Sequence, residues 1–192
     1  MILPTVAYGD PVLKKIGKEI NANYPDLKQL IADMFETMNF AKGVGLAAPQ
    51  VGLSIRLFVV DASGFAYGDE KEKYQHLKGF RKVFINPVII DETGEEWEFE
   101  EGCLSIPGIR EPVDRLPEVQ VQYYDENFVF RDENFKGIPA RIIQHELDHL
   151  EGILFVEHLN PLKRRLLRRK LNDISIGNVD INYKMKFPGK KR

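Results

Sequence analysis

Two histidines four positions apart, with a glutamate directly after the first, place the tightest constraint on this chain: His145-Glu146-Leu147-Asp148-His149. On a helix, residues i and i+4 stand one above the other, so two imidazoles at this spacing can share one metal ion. The glutamate then reaches a water at that ion, a pattern tied to metal-assisted hydrolysis. The chain has only four histidines, His76, His145, His149 and His158, and a chance match is expected on the order of 1% of the time. Gly137 and Pro139 fall where the helix would open and Gly152 where it would stop. Ile142, His145 and His149 form one stripe, and Ile143, Leu147 and Leu150 a second. A helix apolar on two sides belongs inside a domain, so the rest of the fold has to be built around this segment.

With 192 residues, one domain with a full core is expected. We place the catalytic domain at 1–174 and a basic tail at 175–192. No apolar run is long enough to span a bilayer, and no membrane association is expected. The first ten residues lack the basic and apolar regions of a signal peptide. Cys103 is the only cysteine, which excludes an intrachain disulfide and fits a reducing cytoplasm. The charge is uneven. Residues 163–192 carry eleven Lys/Arg against Asp173 and Asp180, or +9, so residues 1–162 carry −11 to reach the total of −2. A basic tail on an acidic body suggests a polyanionic partner such as RNA.

Apolar spacing predicts a helix over 25–42 (Leu27, Leu30, Ile31, Met34, Phe35, Met38) ended by Gly43. Strands are predicted at 55–60, at 83–90 with an interruption at Asn86-Pro87, and around Trp97 and Phe99. Val119, Val121 and Tyr123 mark another, and Asp125-Glu126-Asn127 turns into a last one at 128–131. Residues 62–82 read as a long polar excursion. A final helix opens at Asn160 as N-cap with Pro161 following and runs to about Asn172, with Leu162, Leu166 and Leu167 facing the body. Strands between helices without regular β-α-β alternation give α+β: antiparallel sheets packed around a central metal-binding helix, with a C-terminal helix.

A catalytic zinc-type site has three protein ligands and an open position. In one protease pattern the third ligand is a histidine six residues past the second, but here that position, 155, is Phe. The alternative downstream glutamate is also missing, since none follows Glu157. Cys103, in Glu101-Gly102-Cys103-Leu104-Ser105, is the best remaining candidate, because a thiolate binds zinc and ferrous iron well.

Three segments now stand in order: Gly43-Val44-Gly45-Leu46-Ala47-Ala48-Pro49-Gln50, Glu101-Gly102-Cys103-Leu104-Ser105 and Gln144-His145-Glu146-Leu147-Asp148-His149. Together they resemble the three signature motifs of peptide deformylases, over about residues 5–160. The resemblance implies hydrolysis of the N-formyl group from the initiator methionine of nascent chains, with release of formate. It implies one divalent metal, usually Fe2+, with Zn2+ or Ni2+ possible in the site, held by Cys103, His145 and His149. Glu146 would move the proton, and the Gln50 amide and Leu104 backbone N–H would stabilise the oxyanion. Gly43, Gly45 and Gly102 leave room for a peptide to pair as an added strand. Val44, Ile138 and Ile142 are expected to form the methionine pocket, and Arg110 to meet a substrate carbonyl or a surface acid. The family resemblance also suits docking of the basic helix 163–170 on ribosomal RNA. Two other readings share some of these residues: a metalloendopeptidase with a different third ligand, and an RNA-binding module with a structural metal.

Overall fold

A computed structural model describes residues 1–68 and 70–188. Asp69, within the polar excursion, and residues 189–192 of the predicted tail, with Lys190, Lys191 and Arg192, lie outside the described residues. The strands are β1 (Thr5–Val6), β2 (Gly45–Ala47), β3 (Leu57–Asp61), β4 (Arg81–Thr93), β5 (Trp97–Cys103), β6 (Ile106–Arg115), β7 (Glu118–Tyr124), β8 (Phe130–Lys136) and β9 (Met185–Lys186). The helices are α1 (Leu27–Phe40), α2 (Ile138–Leu150) and α3 (Pro161–Ser175). The architecture is α+β. β2-β3-β4-β7-β8 form a five-stranded antiparallel sheet, and β5-β6 a long antiparallel hairpin. The short pair β1-β9 is parallel.

β3 shows how the layers form. Leu57, Phe58, Val59 and Val60 are all fully buried, because both faces of the sheet are covered. Alternation sends Phe58 and Val60 toward the core shared with Ile138, Ile142, Ile143 and Leu150 of α2. It sends Leu57 and Val59 toward Ile31, Met34, Phe35 and Met38 of α1. A third cluster joins Ile106, Ile109 and Val113 of the hairpin to Leu167, Leu171 and Ile174 of α3.

Several sequence expectations need adjusting. The first helix is shorter than 25–42, because Asp26 takes a left-handed conformation (φ 52°) before Leu27. The strand expected at 55–60 begins two residues later, and the one expected at 83–90 runs over 81–93 with bulges. The Asn86-Pro87 interruption is a bend rather than a break. Asn86 sits at φ 49°, and its side chain bonds both the N–H and the C=O of Ile20, at 3.0 and 2.8 Å. Residues 62–82 hold two short 3-10 turns, 63–67 and 75–77, joined by the Phe65–Tyr74 ring contact. On α3, Asn160 caps as expected, accepting from the Lys163 N–H at 2.9 Å. The predicted inward face is wrong in two of three positions: Leu162 and Leu166 are 68% and 72% exposed, and the buried stripe is Leu167, Leu171 and Ile174.

Candidate metal centre

α2 opens at Gly137 (φ 62°), with Pro139 in its first turn, where a missing N–H costs nothing. It is buried on nearly every side, His145, Glu146 and His149 included. Gly152 (φ 72°) turns the chain sharply after it; a Cβ there would lie 2.8 Å from the backbone of Lys14. α2 is thus held at its C-terminal end by this close approach, and at its start by the Gly137 N–H bonded to the Pro117 carbonyl at 2.8 Å. Cys103 arrives at the end of β5, next to the two-residue turn Leu104-Ser105 that leads into β6.

One ligand atom from each of Cys103, His145 and His149 lies within 4.8 Å of the other two. Cys103 Sγ is 3.4 Å from His149 Nε2. His145 Nδ1 is 2.8 Å from Glu101 Oε2, which commits that ring's other nitrogen to the shared centre. A carboxylate on the far side of a ligating imidazole fixes the ring and raises its basicity. The electrostatics favour a cation. Burial would lower His145, but the Cys103 sulfur and Glu101 overcome it and hold the ring well above its usual range. Burial, with the adjacent charge of His145, pushes His149 well below, leaving it neutral. A thiolate and two imidazoles form an N/S donor set suited to zinc or ferrous iron, and an ion would replace the proton drawn to this cluster. The residues therefore fit a single divalent metal.

Behind the candidate ligands lies a charged layer for which the sequence carries no local signal. Glu101 takes two bonds from Arg115, at 2.7 and 3.1 Å, and one from Arg141 Nη1 at 3.0 Å. Burial works to raise Glu101, but bonds from His145 and Arg115 hold it well below the usual carboxylate range. Arg141 also donates to the Val113 carbonyl at 2.8 Å and lies over the Trp97 ring. Asp148 pairs with Arg115 at 2.9 Å and His158 at 2.7 Å. The general expectation of a carboxylate partner for a ligating histidine was available, but its sequence distance from His145 hid Glu101.

Glu146 is different. It is 3% exposed, and its Oε2 has no partner among the described residues. Burial pushes its carboxyl up to about 7, with His145 opposing. A carboxyl near neutrality can both take and return a proton. Gly45 lies against it: a Cβ there would fall 2.7 Å from the Glu146 carboxyl carbon, so any larger residue would displace the Glu146 side chain. The Gln50 carbonyl accepts from the Ala47 N–H at 2.8 Å, which leaves its amide nitrogen facing Cys103 Sγ at 3.3 Å.

These groups open into a cleft of about 750 Å³. Val44, Gly45, Gln50, Gly102, Leu104, Arg110, Ile138 and Ile142, all expected at the site, line it together with Cys103, His145 and Glu146. Ile138 and Ile142 are buried and Val44 is 39% exposed. Arg110 pairs with Glu100 at 2.6 Å on the surface. Three aromatic walls were not anticipated: Phe65 from the excursion, Phe99 from β5 and Tyr183 from the tail.

A thiol and two imidazoles that could hold a metal, beside a buried glutamate whose Oε2 has no partner among the described residues, at the foot of a cleft of about 750 Å³, fit a metal-dependent hydrolase. The model of the polypeptide deformylase family matches residues 2–165, and the chain belongs to that family. It is 54% identical to a peptide deformylase of Christiangramia forsetii over 194 aligned positions, covering 100% of this chain and 99% of that protein. Among solved structures it is similar to a peptide deformylase from Legionella pneumophila (TM-score 0.77, 43% identity, 90% of this chain and 95% of that one). It is likewise similar to a Met-Ala-Ser-bound class I type b deformylase from Acinetobacter baumannii (TM-score 0.73, 37% identity, 83% and 99%). Its activity is that of the family: metal-dependent removal of the N-formyl group from nascent peptides. No helix among the described residues is long and apolar enough to cross a membrane.

Proposed function

We propose that Cys103, His145 and His149 hold the ion, and that the surrounding cleft presents a formyl-methionyl peptide to it. The observation that carries this reading is the convergence of the three candidate ligand atoms within 4.8 Å beside Glu146, whose Oε2 has no partner among the described residues. A bound divalent ion would supply Lewis-acid activation of water and of the formyl carbonyl. Glu146 accepts the proton of the attacking water and hands it to the departing amine nitrogen as the C–N bond breaks, giving formate and a free N-terminus. The Gln50 amide and the Leu104 N–H share the charge on the formyl oxygen, one such donor being worth roughly 3–4 kcal/mol. Gly45 and Gly102 bring bare backbone to the cleft for pairing with the peptide. Val44, Ile138 and Ile142 receive the methionine side chain, and Arg110, held by Glu100, stands at the rim for a substrate carbonyl.

We assign ferrous iron as the cellular metal, since thiolate ligation suits it, with zinc or nickel as substitutes. The reducing cytoplasm, where nascent chains emerge, is the expected location. The basic helix α3 is the proposed contact with ribosomal RNA: Lys163, Arg164, Arg165, Arg168, Arg169 and Lys170 crowd one short segment. Reversing Arg164, Arg165, Arg168 and Arg169 should weaken ribosome cosedimentation at low salt; unchanged binding would remove this partner.

The central test is formate release from formyl-Met-Ala-Ser by anaerobically prepared protein. Cys103→Ala should lose both bound metal and activity. Glu146→Gln should keep the metal and lose activity. A Cys103→Ala protein that keeps both would point to a different third ligand and to the endopeptidase reading. Metal-loaded wild type that releases no formate would leave an RNA-binding role with a structural ion.

A further inference from the structure

Leu104 and Ser105 form the tight turn between Cys103 and Ile106. Both of their carbonyls are tied to the ends of the chain. The Ser105 carbonyl accepts from the Tyr8 N–H at 2.8 Å. The Leu104 carbonyl accepts from the Tyr183 hydroxyl at 2.7 Å. Tyr183 is carried there by the tail, which is itself fastened: Thr5 N–H donates to the Lys184 carbonyl at 3.0 Å, and Ala7 N–H to the Lys186 carbonyl at 2.8 Å. Met185 and Phe187 pack against the hairpin and α3 core. Tyr183 also forms part of the cleft wall. The family-model match ends at residue 165, so Tyr183 and the tail that carries it lie beyond that match, while the Leu104-Ser105 turn they hold lies within it.

We infer that Tyr183 is a positioning residue for the deformylation reaction: its hydroxyl fixes the Leu104 carbonyl, and thereby the orientation of the adjoining Leu104 N–H toward the formyl oxygen. With the Leu104 and Ser105 carbonyls pinned on one side and Cys103 paired with Ile106 at the end of β5 on the other, the Cys103–Leu104 peptide between them, whose N–H is the proposed oxyanion donor, is held from both ends. Preorganised donors are effective because they need no reorientation as charge develops. The tail is therefore part of the active-site scaffold. This inference rests on the proposed role of Leu104.

The test uses full-length, metal-loaded protein and formyl-Met-Ala-Ser. Tyr183→Phe keeps the ring and its packing and removes only the hydrogen bond. It should lower kcat about fivefold with KM unchanged, with metal content and Tm close to wild type. Tyr183→Ala should in addition raise KM, because it opens the cleft wall. Gln50→Ala serves as the reference for the oxyanion site and should lose roughly 10²–10³ in kcat. If Gln50→Ala shows that loss while Tyr183→Phe matches wild type, the inference is overturned and the reading of the site survives. If Tyr183→Phe loses activity only in proportion to lost metal or lost folded protein, its role is structural and the inference is overturned. If Gln50→Ala is as active as wild type, the oxyanion assignment fails and this inference with it.

Discussion

Glu101 accepts hydrogen bonds from Arg115 and Arg141 and holds the His145 ring at once, all within a buried layer. Its negative charge is what allows two guanidinium groups to stay out of water. Glu101→Gln keeps the shape but removes the charge, leaving buried Arg141 without its carboxylate partner and Arg115 with Asp148 alone, so it should destabilise the protein by about 3–5 kcal/mol. The same change frees the His145 ring and should weaken metal binding roughly 10–100-fold. Thermal unfolding and competition with a chromophoric chelator measure the two effects separately, and a variant with wild-type stability and affinity would refute the account of this layer. Gly45 makes the complementary point about space. A Cβ there cannot coexist with the present Glu146 carboxylate, so Gly45→Ala must displace the proton carrier. A displacement of about 1 Å can cost on the order of 10²-fold; Gly45→Ala should lose about that much kcat/KM while its metal content, read by elemental analysis, stays intact.

α3 shows what a sequence pattern can and cannot decide. Its start was legible from Asn160 and Pro161, while it runs to Ser175 rather than about Asn172, and it carries two leucine-bearing stripes. Leu162 and Leu166 form one, and Leu167, Leu171 and Ile174 the other, each at helical spacing. Only the position of the β5-β6 hairpin core selects the second. Leu167→Ala or Leu171→Ala should therefore cost about 2–5 kcal/mol in urea unfolding. Leu162→Ala and Leu166→Ala should stay within about 0.5 kcal/mol; a large loss from either would mean that the exposed stripe is covered in solution. The candidate ligands and the glutamate between the histidines stand out in the sequence for a different reason: their chemistry is confined to short segments. Glu101 meeting His145, and Tyr183 meeting Leu104, join residues from different elements, and no local pattern records such contacts. Phe65 was hidden inside a stretch whose polarity argued only for solvent.

Across the whole molecule, the candidate metal centre sits where two cores meet. His145 and His149 belong to α2, whose Ile142, Ile143 and Leu150 pack into the five-stranded sheet. Cys103 ends β5 and packs with the core formed by the hairpin, α3 and the tail. An ion held by all three would tie these bodies together, and it would bind the folded chain far better than the unfolded one. At a free concentration a thousand times its dissociation constant, such a ligand stabilises by about 4 kcal/mol. For a chain of this size each kcal/mol moves Tm by about 2–4 °C, so stripping the metal should lower Tm by roughly 8–16 °C. Calorimetry with and without chelator under anaerobic conditions measures the shift. Cys103→Ala supplies the decisive comparison: with the sulfur gone, chelator should change its Tm little, because the link between the two cores is already lost. A wild-type Tm that ignores the chelator would mean that the ion does not bridge them, and the cores would then be held together by the Glu101–Arg115–Arg141 layer and by contacts such as the His145–Phe155 ring pair.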